Sequence, residues 1–267
     1  MKKILSRLYL ILIFILLYAP ILTLIILSFN NSKTRAKWGG WTTRWYISMF
    51  QNSAIMDALA NTLIIAVLSA TVSTLLGLTA ALSLNAMNTR LRTIIMGVIN
   101  IPMLNAEIVT GISLMLIFIA FGQFLRNFGY TIDFGFWTVL IGHITFNLPY
   151  TVLSIMPKLK QINMSTYEAA LDLGATRALA FRKVILPDIM PGVLSGFLLA
   201  FTLSLDDFVI THFVKGPGFE TLSTKIYTEV RKGIKPEMYA LSTLLFMSVM
   251  ILLLITNVKP GSGKKHE

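Results

Sequence analysis

The sequence contains no cysteine, few charged residues and only half as many acidic as basic ones. The lack of cysteine excludes disulfide bonds and metal sites built from thiolates. Charged residues make up 13% of the 267 residues, whereas a soluble domain has about 25%. Together with 55% hydrophobic residues and a mean hydropathy of +0.73, this composition indicates an integral membrane protein.

The sequence also lacks the common catalytic motifs. It has no glycine-rich phosphate loop of the form G-x-x-x-x-G-K-[ST], so the chain is not expected to use ATP by itself. The three histidines, His143, His212 and His266, are scattered and form no H-E-x-x-H zinc motif. The paired His/Asp or Ser/Lys spacing of an intramembrane hydrolase is absent as well. We therefore expect a protein that is not an enzyme and that has no cofactor and no metal site.

Six apolar segments are each long enough to cross about 30 Å of hydrocarbon as a helix. They are residues 8–29, 59–87, 94–121, 136–156, 187–213 and 238–257, and none contains Lys or Arg. The first follows basic residues, as a secretory signal would. Its length and the lack of a small-residue cleavage site favour a retained membrane anchor. The sequence predicts an all-α integral membrane protein with six transmembrane helices, in a single domain over residues 1–267.

The basic residues predict how the chain is oriented in the membrane. With the amino terminus inside, the cytoplasmic segments hold 13 Lys and Arg over 53 residues, and the outer segments hold 10 over 67. The higher density on the inside follows the positive-inside rule. Both termini, including a polar tail from Lys259 to Glu267, and the loop around Glu168 are therefore expected in the cytoplasm. We attribute the net charge of +11 to basic residues that orient the helices in the membrane and that attract lipid headgroups, rather than to nucleic-acid binding.

Small residues and prolines predict where the helices pack and where they are irregular. Small residues recur every four positions in the second segment, a pattern typical of close helix contacts in lipid. They are Ser69, Ser73, Gly77 and Ala81. Pro102 and Gly111 interrupt the third segment, and Pro149 interrupts the fourth. Irregular backbone at membrane depth is stable only beside protein or a water-filled cavity, so these two helices are expected to border a pathway.

Glu107, Asp206 and Asp207 fall well inside the apolar segments, whereas Asp188 lies at the start of the fifth and is expected to cap that helix or to interact with its dipole. An ionised carboxylate at mid-membrane costs at least about 2.5–3.5 kcal/mol, and no basic residue lies within these segments to offset that cost. Glu107 and Asp206 fall in the outer half of their predicted helices and could converge on one cavity that binds a cation. Alternatively, the aspartates lie among the headgroups and pair locally, for example with Lys215. Adjacent helix positions point about 100° apart, so both aspartates need not face a cavity.

Two further pairs of residues each have two interpretations. Trp41 and Trp45 lie in an aromatic stretch after the first segment. The favoured interpretation is that this stretch belongs to a belt of aromatic residues at the membrane–water interface. The alternative is that one of them stacks on an alkylammonium group, a contact that contributes roughly 0.5–2 kcal/mol. His143 and Asn147 share one helix face in the fourth segment. They are expected to hydrogen-bond neighbouring helices rather than to contact a substrate.

A polar stretch of about thirty residues separates the fourth and fifth apolar segments. Ser165 and Glu168 have the spacing of a capping box, which predicts a helix start, and Gly174 lies where that helix would stop. Thr176 can begin a second short helix, which Leu186–Pro187 would interrupt. Such a helix-turn-helix suits docking into another protein, and an ordinary cytoplasmic loop is the alternative.

The same stretch resembles the EAA motif of ABC-importer permeases, which reads E-A-A-x-x-x-G, nine residues, I-x-L-P. The matching residues are Glu168, Ala169, Ala170, Gly174, Leu186 and Pro187. Val184 replaces the usual isoleucine, a conservative change. In that family the motif forms the coupling helices that seat in the ATPase subunit. The resemblance therefore implies that residues 164–187 form a cytoplasmic coupling loop.

Further motifs, spread over nearly the whole chain, are similar to those of the permeases of spermidine/putrescine importers. They are 30–32, 41–46, 143–146, 201–207 and 225–227. The resemblance implies a type I, MetI-like permease of the bacterial inner membrane that takes up polyamines. Its expected partners are a second related permease, an ATPase dimer that hydrolyses ATP and an extracytoplasmic binding protein. An importer of another amine, a phosphonate or ferric iron is the first alternative, and an ATP-independent carrier or channel is the second.

Overall fold

The computed structural model describes the backbone of residues 2–34 and 36–258 and the side chains of residues 6–34 and 36–251. Every regular element in these ranges is a helix, and one isolated antiparallel bridge joins Asn30 and Trp41. The predicted polar tail from residue 259 onward lies outside the described residues. The chain divides into two compact units, Met1–Asp57 with Lys225–Glu267 and Ala58–Thr224.

The first unit is built from the two ends of the chain. Its helices are α1 (Lys2–Ser28), α2 (Arg44–Gln51), the first turn of α3 (Ser53–Ala86), most of α11 (Leu222–Lys232) and α12 (Pro236–Val258). Helix α12 packs against both α1 and α2. Helix α2 is amphipathic and buries Trp45 and Met49. The described side chains of α1 are largely apolar and exposed, as expected of a helix that faces lipid.

The second unit contains the remaining helices. They are the rest of α3, α4 (Thr89–Leu104), α5 (Glu107–Arg126), α6 (Phe136–Gln161), α7 (Met164–Asp172), α8 (Arg177–Ala180), α9 (Leu186–Asp206) and α10 (Val209–Val214). A π-helical turn, Phe181–Ile185, joins α8 to α9. Helix α6 lies at the centre, because it packs along α9 and also contacts α4, α5 and α10.

Five helices in the described part of the chain are long and apolar enough to cross a membrane. They are Ser6–Ser28, Ser53–Ala86, Glu107–Arg126, Phe136–Gln161 and Arg177–Asp206. The sixth predicted segment, 238–257, lies in α12, whose apolar part within the described side chains is the shorter Pro236–Ile251. The prediction of an all-helical membrane protein is confirmed.

The stripe of small residues on α3 packs against α6, as its spacing predicted. Ser69, Ser73 and Ala81 are fully buried. A Cβ atom at Gly77 would lie 2.9 Å from Thr151 Cβ and 3.3 Å from the backbone nitrogen of Val152. Glycine at this position therefore allows the backbones of α3 and α6 to approach closely.

Gly77→Ala is expected to lower the free energy of unfolding by about 1–3 kcal/mol, because the added methyl group forces α6 away from α3. Gly97→Ala is the matched control, since no atom lies within 4 Å of a Cβ atom there and alanine favours a helix over glycine by about 1 kcal/mol. The measurement is the thermal unfolding midpoint of each purified variant in detergent, followed by tryptophan fluorescence. Equal midpoints for the two variants would contradict close packing at Gly77.

Candidate functional site

Two of the predicted membrane helices are broken, and an acidic residue lies at each break. The third apolar segment does not form one helix, because the backbone is extended at Asn105 and Ala106 and α5 begins at Glu107. The fifth segment likewise stops at Asp206, the last residue of α9, and α10 begins at Val209. The sequence analysis counted Glu107 and Asp206 along the length of their apolar segments, whereas the structure places them at the start of α5 and at the end of α9. Hydropathy is averaged over many residues and does not detect a two-residue change in backbone direction.

The parts of the chain that follow these breaks pack against each other. A Cβ atom at Gly111 in α5 would lie 2.8 Å from the Phe213 ring and 3.5 Å from the Val209 carbonyl oxygen, both in α10. Helix α10 also buries Ile210 and Val214 in an apolar cluster with residues of α5 and α6. Irregular backbone at membrane depth requires protein or a water-filled cavity around it. The third segment was predicted to be irregular and to border a pathway, and it does contain a helix break. The break begins at Asn105, three residues after Pro102, where the irregularity was expected.

Glu107 and Asp206 are both exposed. Within the described residues, neither carboxylate takes part in an ion pair. Lys215, considered above as a partner of the aspartates, instead lies 3.9 Å from Glu220. Glu107 and Asp206 are thus available to a ligand.

Asp207 has a different environment from its neighbour, since its side chain is only 4% exposed. Its carboxylate accepts hydrogen bonds from the backbone N–H groups of Ile210 and Thr211, at 3.2 and 2.8 Å, and from the Thr211 hydroxyl at 2.8 Å. His143 Nε2 lies 3.3 Å from the same carboxylate. Asp207 therefore caps the start of α10. Both of its carboxylate oxygens are in contact with groups of this chain. The sequence interpretation that Asp206 and Asp207 need not face the same way agrees with this arrangement.

The hydrogen bonds around His143 define which nitrogen carries its proton. The Thr211 hydroxyl donates to Asp207, so it accepts from His143 Nε2, which lies 2.9 Å away. The imidazole ring is 2% exposed. Thr211 was missed by the sequence analysis, although its spacing of four residues after Asp207 is the spacing of neighbours on one helix face.

Asn147, one helical turn after His143, joins α6 to two other helices. Its side-chain nitrogen lies 2.8 Å from Ser204 Oγ in α9 and 3.4 Å from Ser69 Oγ in α3. Those two hydroxyl groups are 2.9 Å apart. The prediction that His143 and Asn147 hydrogen-bond neighbouring helices is confirmed. Ser69 and Ser204 thus have a polar role, which the spacing of small residues alone did not indicate.

The two tryptophans considered as substrate ligands have different environments. Trp45 is buried, and its indole N–H donates to the Asn30 carbonyl oxygen at 2.7 Å. The Arg44 guanidinium lies 4.4 Å from the centre of the Trp45 ring, so a cation of the chain itself occupies that face. Trp41 is 72% exposed and packs edge-on against Trp38, with ring centres 5.1 Å apart. Of the two rings, Trp41 is the accessible one.

The predicted coupling segment forms α7, α8 and the π-helical turn. Helix α7 begins after Asn163, whose side chain accepts the backbone N–H of Ser165 at 3.1 Å. The capping box predicted from Ser165 and Glu168 is therefore wrong, because the helix starts two residues earlier with a different cap. Thr176 does cap the next helix, as predicted, by accepting the N–H of Leu179 at 3.3 Å.

Gly174 ends α7, as the sequence predicted. Its φ angle is +86°, which glycine adopts without the steric cost that a Cβ atom brings. The N–H of Gly174 donates to the Leu171 carbonyl at 2.9 Å, and the N–H of Ala175 donates to the Ala170 carbonyl at 3.0 Å. These two bonds form a Schellman motif, which satisfies carbonyl groups at the end of the helix.

Leu186 and Pro187 do not interrupt the helix, contrary to the prediction. The chain runs through the π-helical turn into α9, and Arg177–Asp206 forms one continuous helix of 30 residues. Pro187 lies at the start of α9, and the wider turn before it accommodates a residue that has no backbone N–H. The second part of the predicted coupling segment, from Arg177 onward, is thus connected without a break to Asp206, whereas α7 is separated from it by the turn at Gly174.

Helix α7 is open to solvent along its length. None of its residues is buried. Leu173, which follows the helix, is 89% exposed, and Met164 at its start is 48% exposed. The surface of α7 is therefore not covered by other described parts of the chain.

The chain belongs to the family of binding-protein-dependent transport system inner membrane components, which it matches over residues 73–258. It is 39% identical over 246 residues to the spermidine/putrescine transport system permease protein PotC of Escherichia coli (strain K12), with 92% of this chain and 90% of that protein covered. It is 42% identical over 239 residues to the putrescine transport system permease protein PotI of the same strain, with 89% and 84% covered. These relatives are transport permeases rather than enzymes.

A solved bacterial ABC transporter has the same fold. The structure, from a transporter involved in the import of the acidic polysaccharide alginate, superposes with a TM-score of 0.75 over 96% of this chain and 93% of that chain. The two sequences are 18% identical, so this similarity concerns the fold alone. The resemblance of the sequence to ABC-importer permeases, and the fold that it implied, are confirmed.

Proposed function

We propose that this chain is the permease subunit of an ATP-driven importer that takes up polyamines such as spermidine and putrescine across the bacterial inner membrane. The observation that carries the proposal is the position of Glu107 and Asp206. Both carboxylates are exposed, lack ion pairs within the described residues and lie at the ends of broken helices. The polyamine permeases among its relatives support the substrate class.

The electrostatics at the end of α9 favour a cation. Asp206 closes α9, where the last carbonyl groups of the helix carry partial negative charge. In membrane transporters, the carboxyl ends of broken helices often coordinate cations. A polyamine carries ammonium groups at intervals along an apolar stem, so it can satisfy separate carboxylates while its methylene groups contact apolar side chains. Trp41 offers an accessible ring for a cation–π contact with an ammonium group of the substrate.

The exposure of α7 supports a docking role for residues 164–187. We propose that this segment lies in the cytoplasm, on the same side as both termini, and seats in an ATPase subunit. The helix Arg177–Asp206 spans about 45 Å at 1.5 Å per residue. When the ATPase dimer closes on ATP, that helix would carry the movement of α7 to the end where Asp206 lies. A binding protein would deliver the polyamine from the other side.

The complete importer would contain a second, related permease. One EAA segment serves one ATPase subunit, whereas the ATPase is proposed to act as a dimer. This chain would therefore form half of the translocation pathway.

Uptake of labelled spermidine into proteoliposomes tests the proposal. The full complex, with ATP inside the vesicles and the binding protein outside, is expected to accumulate spermidine. Omission of ATP, the binding protein or the second permease should each reduce uptake to the background of empty vesicles. Uptake by this chain alone would favour an ATP-independent carrier, and uptake without the second permease would show that two copies of this chain suffice. Competition by another solute, but not by polyamines, would reassign the substrate.

A further inference from the structure

The last turn of α9 is tied to α6 on both sides of Asp206. Two residues before it, Ser204 Oγ accepts a hydrogen bond from the Asn147 side chain at 2.8 Å. One residue after it, the Asp207 carboxylate lies 3.3 Å from His143 Nε2. His143 and Asn147 are four residues apart on α6 and therefore lie on one face of that helix. Asp206 itself makes neither of these contacts and is exposed.

Asp207 is also held through its own backbone and by α10. Its carbonyl oxygen accepts the Ser223 hydroxyl at 2.6 Å, and its carboxylate accepts the Thr211 N–H and hydroxyl, each at 2.8 Å. With φ −58° and ψ 122°, Asp207 has left the helical conformation. These bonds fix the side chain of Asp207 and the peptide plane that follows it. Because Asp207 is covalently joined to Asp206, they also restrict how far the backbone at the end of α9 can turn.

We propose that His143 is a positioning residue for substrate transfer. It makes no substrate contact, but it fixes Asp207 and so holds the neighbouring Asp206 carboxylate towards the polyamine. Asn147 acts in the same way through Ser204, from the other side. This inference rests on the proposed function, since it requires that Asp206 binds the substrate. The burial of the His143–Asp207–Thr211 group supports it, because hydrogen bonds that are shielded from water are stronger and hold one geometry.

The test measures spermidine transported per ATP hydrolysed by the full complex in proteoliposomes. His143→Leu removes the N–H donor and is expected to lower this ratio about tenfold, as expected for the loss of a hydrogen bond to a charged group. His143→Gln keeps an N–H donor at a similar reach and should restore the ratio to within about threefold. The control is Thr145→Val, because Thr145 lies exposed on the same helix and bonds only to Ile141.

A double-mutant cycle separates positioning from general stability. In the Asp206→Asn background, His143→Leu should change the ratio by less than about twofold, because the carboxylate that it positions is gone. The same loss in both backgrounds would overturn the positioning role and leave the substrate role of Asp206 intact. A parallel fall in transport and ATP hydrolysis, with no change in their ratio, would likewise overturn it in favour of a structural role. An Asp206→Asn complex with full uptake would overturn the substrate role of Asp206 and, with it, the positioning role of His143.

Discussion

Replacing Asp206 by asparagine is expected to reduce spermidine uptake by the full complex roughly ten- to hundredfold. The substitution keeps the side-chain volume and removes the charge, and loss of a charge-assisted hydrogen bond costs about 1.5–3 kcal/mol. Glu107→Gln should have an effect of similar size for the same reason. The measurement is the initial rate of ATP-driven uptake into proteoliposomes, with equal amounts of assembled complex for each variant.

Asp133→Asn is the control for these charge substitutions. Asp133 is exposed as well, but it lies in the connection between α5 and α6 rather than at a helix break. The same chemical change there should therefore leave uptake within about twofold. Normal membrane insertion and normal ATPase binding are expected for all three variants. Full uptake by both Asp206→Asn and Glu107→Gln would remove the physical argument for a cationic substrate and leave these residues as helix-end or headgroup contacts.

Replacing Gly174 by alanine is expected to weaken the association with the ATPase roughly five- to thirtyfold and to lower uptake accordingly. The φ angle of +86° costs an alanine about 1–2 kcal/mol, so the Schellman end of α7 and the direction of the chain after it would change. No atom lies within 4 Å of a Cβ atom at this position, and the expected effect is therefore conformational rather than steric. The measurement is the amount of ATPase that co-purifies with each variant.

Two further variants show whether a loss of ATPase association comes from the docking segment itself or from backbone strain anywhere in the chain. Gly129 has φ +83° and equally open surroundings, but it lies in a different connection of the chain. Gly129→Ala should therefore bring similar strain and leave ATPase co-purification unchanged. Gly174→Asn should retain most of the association, because asparagine tolerates this conformation better than alanine does. Normal co-purification of Gly174→Ala would argue that residues 164–187 are an ordinary loop.

Features that depend on composition and short spacings could be predicted from the sequence. The scarcity of charge and the long apolar segments indicated membrane helices, because the cost of charges in hydrocarbon applies wherever the helices pack. The four-residue spacing through Gly77 indicated a packing face, since that spacing places residues on one side of any helix. Gly174 indicated the end of α7, because the steric freedom of glycine is a property of the residue itself.

Only the tertiary structure decided how the acidic residues differ. Glu107, Asp206 and Asp207 look alike in the sequence, each a carboxylate in an apolar segment. The structure places Glu107 at a helix start and Asp206 at a helix end, and it buries Asp207 against His143 and Thr211. These differences depend on partners that are distant in the chain, as when α6 supplies the groups that hold the end of α9. A window of neighbouring residues contains no information about such contacts, and they determine which carboxylates remain free for a ligand.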